Sequence, residues 1–356
     1  MIDQANVIII NEQVVLPHIL RLFSLSSLSF ILAMAITPIF TFFAFKYKWW
    51  KQIKDVAWIG GGKEKAPVFY KLHKEKHKRN IPTMAGVIIW VTVAIITFAF
   101  NLDRAQTWLP LFTLVSIGIM GLVDDYINIR SVGSGIAGVK SKIKMLWLIV
   151  FSSLGAYWFY YKLGWNILHI PGCGDITVGL LYIPIFMFIV IATANAVNIT
   201  DGLDGLAGGL LAAAFGAYSA ISFLQGNFGL AVFCATVVGA VLAYTWFNIF
   251  PARFFMGDTG AVALGATLGV VAMLTNTALV LPIIGFVFVA ETLSVIIQLT
   301  SKKLRNGKKV FLSAPVHHHF EAIGWPETKI TMRFWIIGAI MALIGVVVAL
   351  LGRGSV

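Results

Sequence analysis

The amino-acid sequence predicts an all-α protein that crosses a membrane about ten times. Hydrophobic residues make up 59% of the 356 residues and charged residues only 12%, with a mean hydropathy of +0.87. Soluble proteins lie far from this composition, whereas repeated apolar stretches of about 20 residues match the thickness of a bilayer as helices. The basic residues are concentrated in alternate connections between these stretches, which is typical of a polytopic membrane protein.

The apolar stretches are separated by polar connections of very different lengths. Most of them are near the ~20 residues that a helix needs to cross a hydrocarbon core of about 30 Å. They cover residues of about 19–44, 84–101, 107–123, 145–161, 178–197, 205–224, 228–247, 261–276, 278–299 and 332–351. We expect a single transmembrane domain over residues 1–356.

The distribution of Lys and Arg predicts the orientation in the membrane. All but four of the 27 basic residues lie in the first, third, seventh and ninth connections; the four are Arg21, Arg104, Lys162 and Arg353. By the positive-inside rule these connections are cytoplasmic and both termini lie outside, on the periplasmic side. The net charge of +12 then meets anionic lipid heads or phosphates at the inner face, and we expect no nucleic acid as a partner.

Five Asp residues are expected at the inner ends of the spans, in cytoplasmic connections of about 45–83, 124–144, 198–204, 248–260 and 301–333 that would form the site. The five are Asp124, Asp125, Asp201, Asp204 and Asp258. Converging carboxylates repel one another unless a cation lies among them, and oxygen ligands favour Mg²⁺ or Mn²⁺. The adjoining Lys and Arg suit a diphosphate substrate, so the pattern indicates phosphoryl transfer. The alternative for the stretch from Asn198 to Asp204 is a polar loop that caps the next helix.

Glu291 lies within the ninth apolar stretch. A charged side chain within the bilayer raises the free energy of insertion, and such a residue is usually functional. A straight helix over 278–299 would place it near the bilayer centre. We therefore expect the helix to be broken near 285–290, which turns Glu291 toward the inner site and presents the following piece, with Leu293 and Ile296, to lipid.

Basic residues and histidines supply further candidates for binding phosphate or nucleotide. Lys78 belongs to a basic run just before Thr83, where a following helix start also offers free N–H groups. Lys142 belongs to a Gly-rich basic connection, and Asn248 begins the seventh connection. The run His317-His318-His319 is internal and has no Cys nearby, which favours phosphate or nucleotide binding over a zinc site.

These motifs occur in the same order in a known family. Asp124-Asp125, residues 195–207, the segment from Met256 to Gly260, and Ala314-Pro315-Val316-His317-His318-His319-Phe320-Glu321 resemble the polyprenyl-phosphate N-acetylhexosamine-1-phosphate transferases. The histidine segment with residues 324–327 and 333–335 is similar to the branch that acts on UDP-N-acetylmuramoyl-pentapeptide. The resemblance runs from about Lys78 to the last span.

The resemblance implies a reaction and its participants. Undecaprenyl phosphate attacks the β-phosphorus of UDP-N-acetylmuramoyl-pentapeptide, UMP leaves, and lipid I forms for peptidoglycan synthesis at the bacterial plasma membrane. Direct attack is favoured over a covalent enzyme intermediate, because the lipid phosphate is already a nucleophile. A homodimer is compatible with the resemblance. The nearest alternative is the same chemistry on another sugar nucleotide such as UDP-N-acetylglucosamine, and a secondary transporter is the alternative from another class.

The resemblance also distributes roles among the residues. Asp258 is the best Mg²⁺ ligand with Asp201 beside it, and Asp124 with Asp125 handles the lipid phosphate or its proton. The catalytic set is thus Asp124, Asp125 and Asp258. The expected substrate-binding residues are Lys78, Thr83, Lys142, Asn198, Asp201, Asp204, Asn248, Glu291, His317, His318 and His319. Departures from the family pattern at Asn80, Ile81, Ala85 and Asn128 affect individual phosphate contacts and leave the acidic set intact.

Overall fold

A computed structural model describes residues 12–50, 56–59, 62–65, 80–130, 139 and 141–351 of the chain. Within these residues the protein is mostly helical. The helices are α1 (Glu12–Lys46), α2 (Gly86–Phe100), α3 (Trp108–Arg130), α4 (Ser141–Tyr157), α5 (Tyr182–Thr200), α6 (Leu206–Leu224), α7 (Phe228–Asn248), α8 (Asp258–Leu274), α9 (Leu281–Ile284), α10 (Phe286–Leu304), α11 (Val316–Ala322) and α12 (Glu327–Leu350).

Seven helical segments within the described ranges are long and apolar enough to cross a membrane. They are Val15–Lys46, Trp108–Arg130, Ser141–Lys162, Gly179–Thr200, Leu206–Leu224, Phe228–Asn248 and Glu327–Leu350. The apolar helices α2 and α8 are shorter, with 15 and 17 residues. The helices agree with a multi-pass membrane protein, while ten spans and the placement of both termini stay predictions.

Two short antiparallel hairpins depart from the all-α expectation. Val56–Ile59 (β1) pairs with Gly62–Lys65 (β2), and Ile167–Ile170 (β3) pairs with Gly174–Thr177 (β4). The second hairpin lies between α4 and α5, within the connection of residues 162–177 that the hydropathy pattern predicts without strands. Gly172 in its turn and Gly174 at the start of β4 both have positive φ, which is the backbone geometry that a tight reversal needs.

Helix α8 is the centre of the fold. Every residue from Thr259 to Leu274 is buried, and α3, α5, α2 and α6 pack around it. A helix that is apolar on all sides must be enclosed by other helices. The first residue of this central helix is Asp258, so the fold places that carboxylate where the surrounding helices converge.

Two helix boundaries matter for the site, and the first differs from the sequence-based expectation. Helix α3 does not end at residue 123 but continues to Arg130, so Asp124 and Asp125 lie within its last two turns and both are buried. The expected break in the ninth span is confirmed, at the N-terminal edge of the expected range. Gly285 separates α9 from α10, and Pro282 lies in the first turn of α9, where its missing N–H costs no helical hydrogen bond.

Candidate active site

Three carboxylates from two helices converge at one end of the helical bundle. Asp124 and Asp125 come from the end of α3, and Asp258 begins α8. One ligand oxygen from each lies within 4.8 Å of the others. This close approach depends on Gly121, one turn before the Asp pair, because a side chain there would overlap the backbone carbonyl of Asp258.

A lysine ammonium lies between two of these carboxylates. Lys144 Nζ is 2.6 Å from Asp124 Oδ2 and 2.6 Å from Asp258 Oδ2. Its side chain remains 32% exposed, against 2% for Asp124. The bridging lysine of the basic connection is therefore Lys144. Lys142, which the sequence favoured, is exposed near the start of α4. A helical turn of 3.6 residues directs these two side chains to different faces.

Backbone and hydroxyl groups fix the two carboxylates of α3 in place. Asp124 Oδ1 accepts a 2.7 Å hydrogen bond from the Val139 amide. Asp125 Oδ2 accepts bonds from the amide (3.1 Å) and hydroxyl (2.8 Å) of Thr259 in the first turn of α8. Helix N-terminal amides stabilise negative charge, so α8 holds Asp125 while its own Asp258 faces Lys144.

The turn before α8 is shaped by Gly257. Its φ is +72°, and a side chain there would overlap Asp125 Oδ2 and approach Thr83 Oγ1. Thr83, a predicted site residue, therefore lies next to the carboxylate cluster. Its own amide donates a 2.7 Å bond to the Trp49 carbonyl. Lys78, the other candidate from this region, lies outside the described residues.

The last turn of α5 and the segment between α5 and α6 form a second part of the site. Asn198 and Asp201 are half-buried, and Asp204 is buried. Asp204 Oδ2 accepts a 3.0 Å bond from the Ala252 amide, while the Asp204 amide donates to Glu327 Oε1. Asp204 thus anchors this segment to the connection before α8 and to α12.

Asn248 has an anchoring role of the same kind. Its side-chain oxygen accepts a 2.9 Å bond from the Gly205 amide, and its nitrogen donates a 2.9 Å bond to the Phe254 carbonyl. The side chain is buried. Both hydrogen-bonding ends of this amide therefore hold backbone, which joins the segment after α5 to the connection between α7 and α8.

The histidine run forms most of α11, and each histidine has a different environment. His317 Nδ1 lies 2.9 Å from Glu291 Oε2, and both side chains are fully buried. His318 Nδ1 lies 2.6 Å from Glu321 Oε2. His319 Nδ1 accepts a 3.2 Å bond from the Leu312 amide. Glu291 thus faces the protein interior, as expected from the break before α10.

The donor set suits a hard divalent cation. Three carboxyl groups face one ammonium in a largely buried site. All the acidic donor atoms are oxygens, and Mg²⁺ and Mn²⁺ bind oxygen ligands in preference to nitrogen or sulfur. Asp258 belongs to this cluster as expected. Asp201, the predicted second ligand, is not among the three carboxylates that lie within 4.8 Å of one another.

An apolar cavity of about 330 Å³ leads to the carboxylate cluster from between α3 and α4. Ile119, Val123, Trp147 and Phe151 contribute to its walls, and Asp124 and Lys144 also line it. Ile119, Val123 and Trp147 are about half exposed on the outside of the bundle. A long apolar chain with a phosphate at its end fits this combination of surfaces.

Sequence reasoning missed three residues that hold the site together, namely Lys144, Thr259 and Glu327. The first was one of several lysines in a Gly-rich stretch, and its spacing did not single it out. Glu327 lies in the ninth connection, whose acidic residues were not included in the predicted Asp set. Its contact with Asp204 becomes visible only in the structure, where α12 packs against α6.

A helical membrane bundle in which clustered carboxylates lie beside a lysine is compatible with a membrane enzyme that acts on phosphate groups. Consistent with that class, residues 107–276 match glycosyl transferase family 4. The chain is 39% identical over 325 residues to the phospho-N-acetylmuramoyl-pentapeptide-transferase of a Geobacillus species, which covers 90% of this chain and 95% of the relative. It is 42% identical over 287 residues to the protein of that name from Chloroflexus aurantiacus, covering 77% and 78%. The chain belongs to the phospho-N-acetylmuramoyl-pentapeptide-transferase family.

Proposed function

We propose that this chain catalyses the Mg²⁺-dependent transfer of phospho-N-acetylmuramoyl-pentapeptide from its UDP-linked form to undecaprenyl phosphate, with lipid I and UMP as products. The observation that carries this proposal is the convergence of Asp124, Asp125 and Asp258 with Lys144 at the end of an apolar cavity. The identity of the proposed sugar nucleotide is taken from the name of the family relatives. The site supplies a place where a membrane-bound phosphate and a diphosphate can meet.

The transfer is a single displacement at phosphorus. An oxygen of the lipid phosphate forms a bond to the β-phosphorus, and the bond from that phosphorus to the bridging oxygen breaks. UMP leaves with the bridging oxygen and the electron pair of the broken bond. Such a reaction needs mainly alignment and neutralisation of negative charge, since both partners are anions.

Asp258 is the first candidate to hold Mg²⁺, with Asp124 and Asp125 completing an oxygen-rich surface around it. When bound, Mg²⁺ or Mn²⁺ would neutralise phosphate oxygens and favour departure of UMP. Asp125 is oriented by the hydrogen bonds that it accepts from the amide and hydroxyl of Thr259. Asp124 is placed to take the proton of the acceptor phosphate when that phosphate carries one.

Lys144 supplies positive charge that belongs to the protein itself. Its ammonium has three donors and uses two directions for Asp124 and Asp258, while a third of the side chain stays exposed. The remaining donor can bind a phosphate oxygen. Lys144 therefore counters repulsion among the carboxylates and attracts the incoming phosphate.

The acceptor's prenyl chain stays in the bilayer during the reaction. Two surfaces support this part of the proposal: the apolar cavity between α3 and α4, and the exposed face of α10, where Leu293, Ile296 and Ile297 are about half exposed. With the positive-inside orientation, both surfaces lead to a site that faces the cytoplasm, where the sugar nucleotide is soluble.

The nucleotide side of the site is assigned to the segment after α5 and to α11. Asn198 and Asp201 are half-buried and not part of the carboxylate cluster, which suits contacts to ribose or base. His318 and His319 lie on the same short helix. Asp204 and Asn248 support this side through the backbone bonds described above, so we expect them to shape the pocket.

A transfer assay with purified protein tests the proposal. The protein, undecaprenyl phosphate and Mg²⁺ are incubated with radiolabelled UDP-N-acetylmuramoyl-pentapeptide or UDP-N-acetylglucosamine, and lipid-extractable label is measured. We expect label in the lipid phase with the pentapeptide nucleotide only. If label is transferred from UDP-N-acetylglucosamine alone, the proposed sugar substrate is wrong. If neither nucleotide gives lipid-extractable label, the proposed function is overturned.

A further inference from the structure

Glu291 and His317 form a carboxylate–imidazole pair that is shut off from solvent. Both side chains have no exposed surface. Glu291 Oε2 is 2.9 Å from His317 Nδ1 and 3.4 Å from the His317 amide nitrogen. One oxygen of α10 therefore receives two donors of α11, which fixes the short histidine helix against the helix that follows the break.

The pair determines which ring nitrogen of His317 carries a proton. A carboxylate only accepts hydrogen bonds, so Nδ1 must be the donor. The other nitrogen, Nε2, makes no hydrogen bond with any residue that the structure describes, and neither does Glu291 Oε1. Buried polar side-chain atoms usually have hydrogen-bond partners, so the surroundings of Nε2 determine what this arrangement can do.

His317 Nε2 lies directly against Gly202. A side chain at position 202 would overlap this nitrogen and approach the neighbouring ring carbon. Gly202 follows Asp201 in the segment between α5 and α6, two residues before Asp204. The ring of His317 is thus inserted between Glu291 on one side and the acidic segment on the other.

The cost of this arrangement argues against a purely packing role. A carboxylate buried within an apolar helix is unfavourable, and a hydrogen bond from a neutral imidazole offsets only part of the cost of removing that charge from water. The retained pair contacts the segment that carries Asp201 and Asp204, and it does so through a ring whose orientation the carboxylate controls. Carboxylates that hold a functional histidine in one tautomer act in this way.

We propose that Glu291 is a positioning residue. It holds the His317 ring in the Nδ1–H form against Gly202, and the ring in turn sets the position of Asp201 on the nucleotide side of the site. Glu291 was predicted from the sequence to bind substrate directly. Its full burial and its bonds to His317 instead place it behind His317, without contact to the substrate. The inference rests on the proposed function only for its kinetic consequences.

The first test measures the His317 tautomer and needs no activity. Protein with ¹⁵N-labelled histidine in detergent is compared with the variants Glu291→Gln and Glu321→Gln. We expect wild-type His317 in the Nδ1–H form and a shifted His317 signal only in Glu291→Gln. Glu321→Gln is the matched control, because Glu321 pairs with the adjacent His318 and should shift that signal alone. An Nε2–H form in the wild type would overturn the proposal.

The second test separates positioning from structural support. For folded enzyme, we expect Glu291→Gln to lower kcat/KM for the sugar nucleotide by about 10- to 100-fold, as for partners that orient functional histidines, with the KM for undecaprenyl phosphate unchanged. Gly202→Ala should lower it similarly. The double variant should lose no more activity than the less active of the two single variants, because both changes act on the same ring.

The outcomes distinguish this proposal from the proposed function. Lower Tm with unchanged kinetic constants per folded molecule, or fully additive effects of the two changes, would show that the pair only supports the fold. Glu291→Asp keeps the charge and is measured beside Glu291→Gln in case the amide variant does not fold. We expect the aspartate variant to lose less activity. If wild-type protein transfers no sugar phosphate at all, the proposed function fails while the tautomer measurement still decides the positioning.

Discussion

The substitution Asp258→Asn removes one negative charge from the carboxylate cluster and keeps nearly the same shape. Two unit charges about 4 Å apart in an effective dielectric constant of about 20 attract by ~4 kcal/mol, so a divalent ion and a carboxylate attract by ~8 kcal/mol. If the neutral amide oxygen recovers about half of this, ~4 kcal/mol of transition-state stabilisation is lost. That loss corresponds to a ~10³-fold lower rate.

The assay is UMP release at millimolar Mg²⁺, with the folded fraction measured separately. The matched control is Asp175→Asn. Asp175 lies in hairpin β3–β4, just before α5, whereas Asp201 of the site lies just after α5. A 19-residue helix spans about 28 Å, so the control lies at the opposite end of the bundle and should leave turnover unchanged. Turnover close to that of the wild type in Asp258→Asn would refute the assignment of Asp258 as the principal metal ligand.

Three further changes test other parts of the site. Asp124→Asn should impair the step that involves undecaprenyl phosphate more than binding of the sugar nucleotide; loss of nucleotide binding instead would move Asp124 to the nucleotide side. Lys144→Met should lower kcat by about 10- to 100-fold, because a charge-assisted hydrogen bond contributes roughly 1.5–3 kcal/mol, and an equal loss in Lys142→Met would contradict this ranking. Gly257→Ala should abolish most activity by displacing Asp125, whereas Gly226→Ala, at nearly the same φ in open space, should retain activity; equal losses would trace the effect to backbone strain.

The acidic set and the break before Glu291 were predictable from residue type and position. Charged residues are so rare in apolar stretches that each one marks either a helix end or a functional site. Of the five acids expected to converge, Asp124, Asp125 and Asp258 meet, whereas Asp201 and Asp204 are not in that cluster. Glu291 follows the break as expected, but it is fully buried against His317 and does not face the substrate pocket. Hydropathy also located most of the helices, since their length follows from the thickness of the bilayer.

Side-chain partners were not predictable in the same way. Asp204 and Asn248 are polar residues near the site, and the sequence does not show that their bonds go to backbone groups. The end of α3 was placed too early because hydropathy falls at Asp124, although the helix continues for nearly two turns. Lys144 was not singled out because tertiary packing, and not local sequence, directs one lysine of the cluster to the carboxylates.

The most direct test of the account is where a divalent ion binds relative to the sugar nucleotide. Mn²⁺ is added to purified enzyme with UDP-N-acetylmuramoyl-pentapeptide, and electron paramagnetic resonance measures coupling between Mn²⁺ and the ³¹P nuclei. We expect a bound Mn²⁺ with ³¹P coupling in the wild type and loss of that signal in Asp258→Asn, with Asp175→Asn unchanged. A ³¹P-coupled Mn²⁺ signal of undiminished strength in Asp258→Asn would contradict the central claim that the Asp124–Asp125–Asp258 cluster holds the metal and the diphosphate.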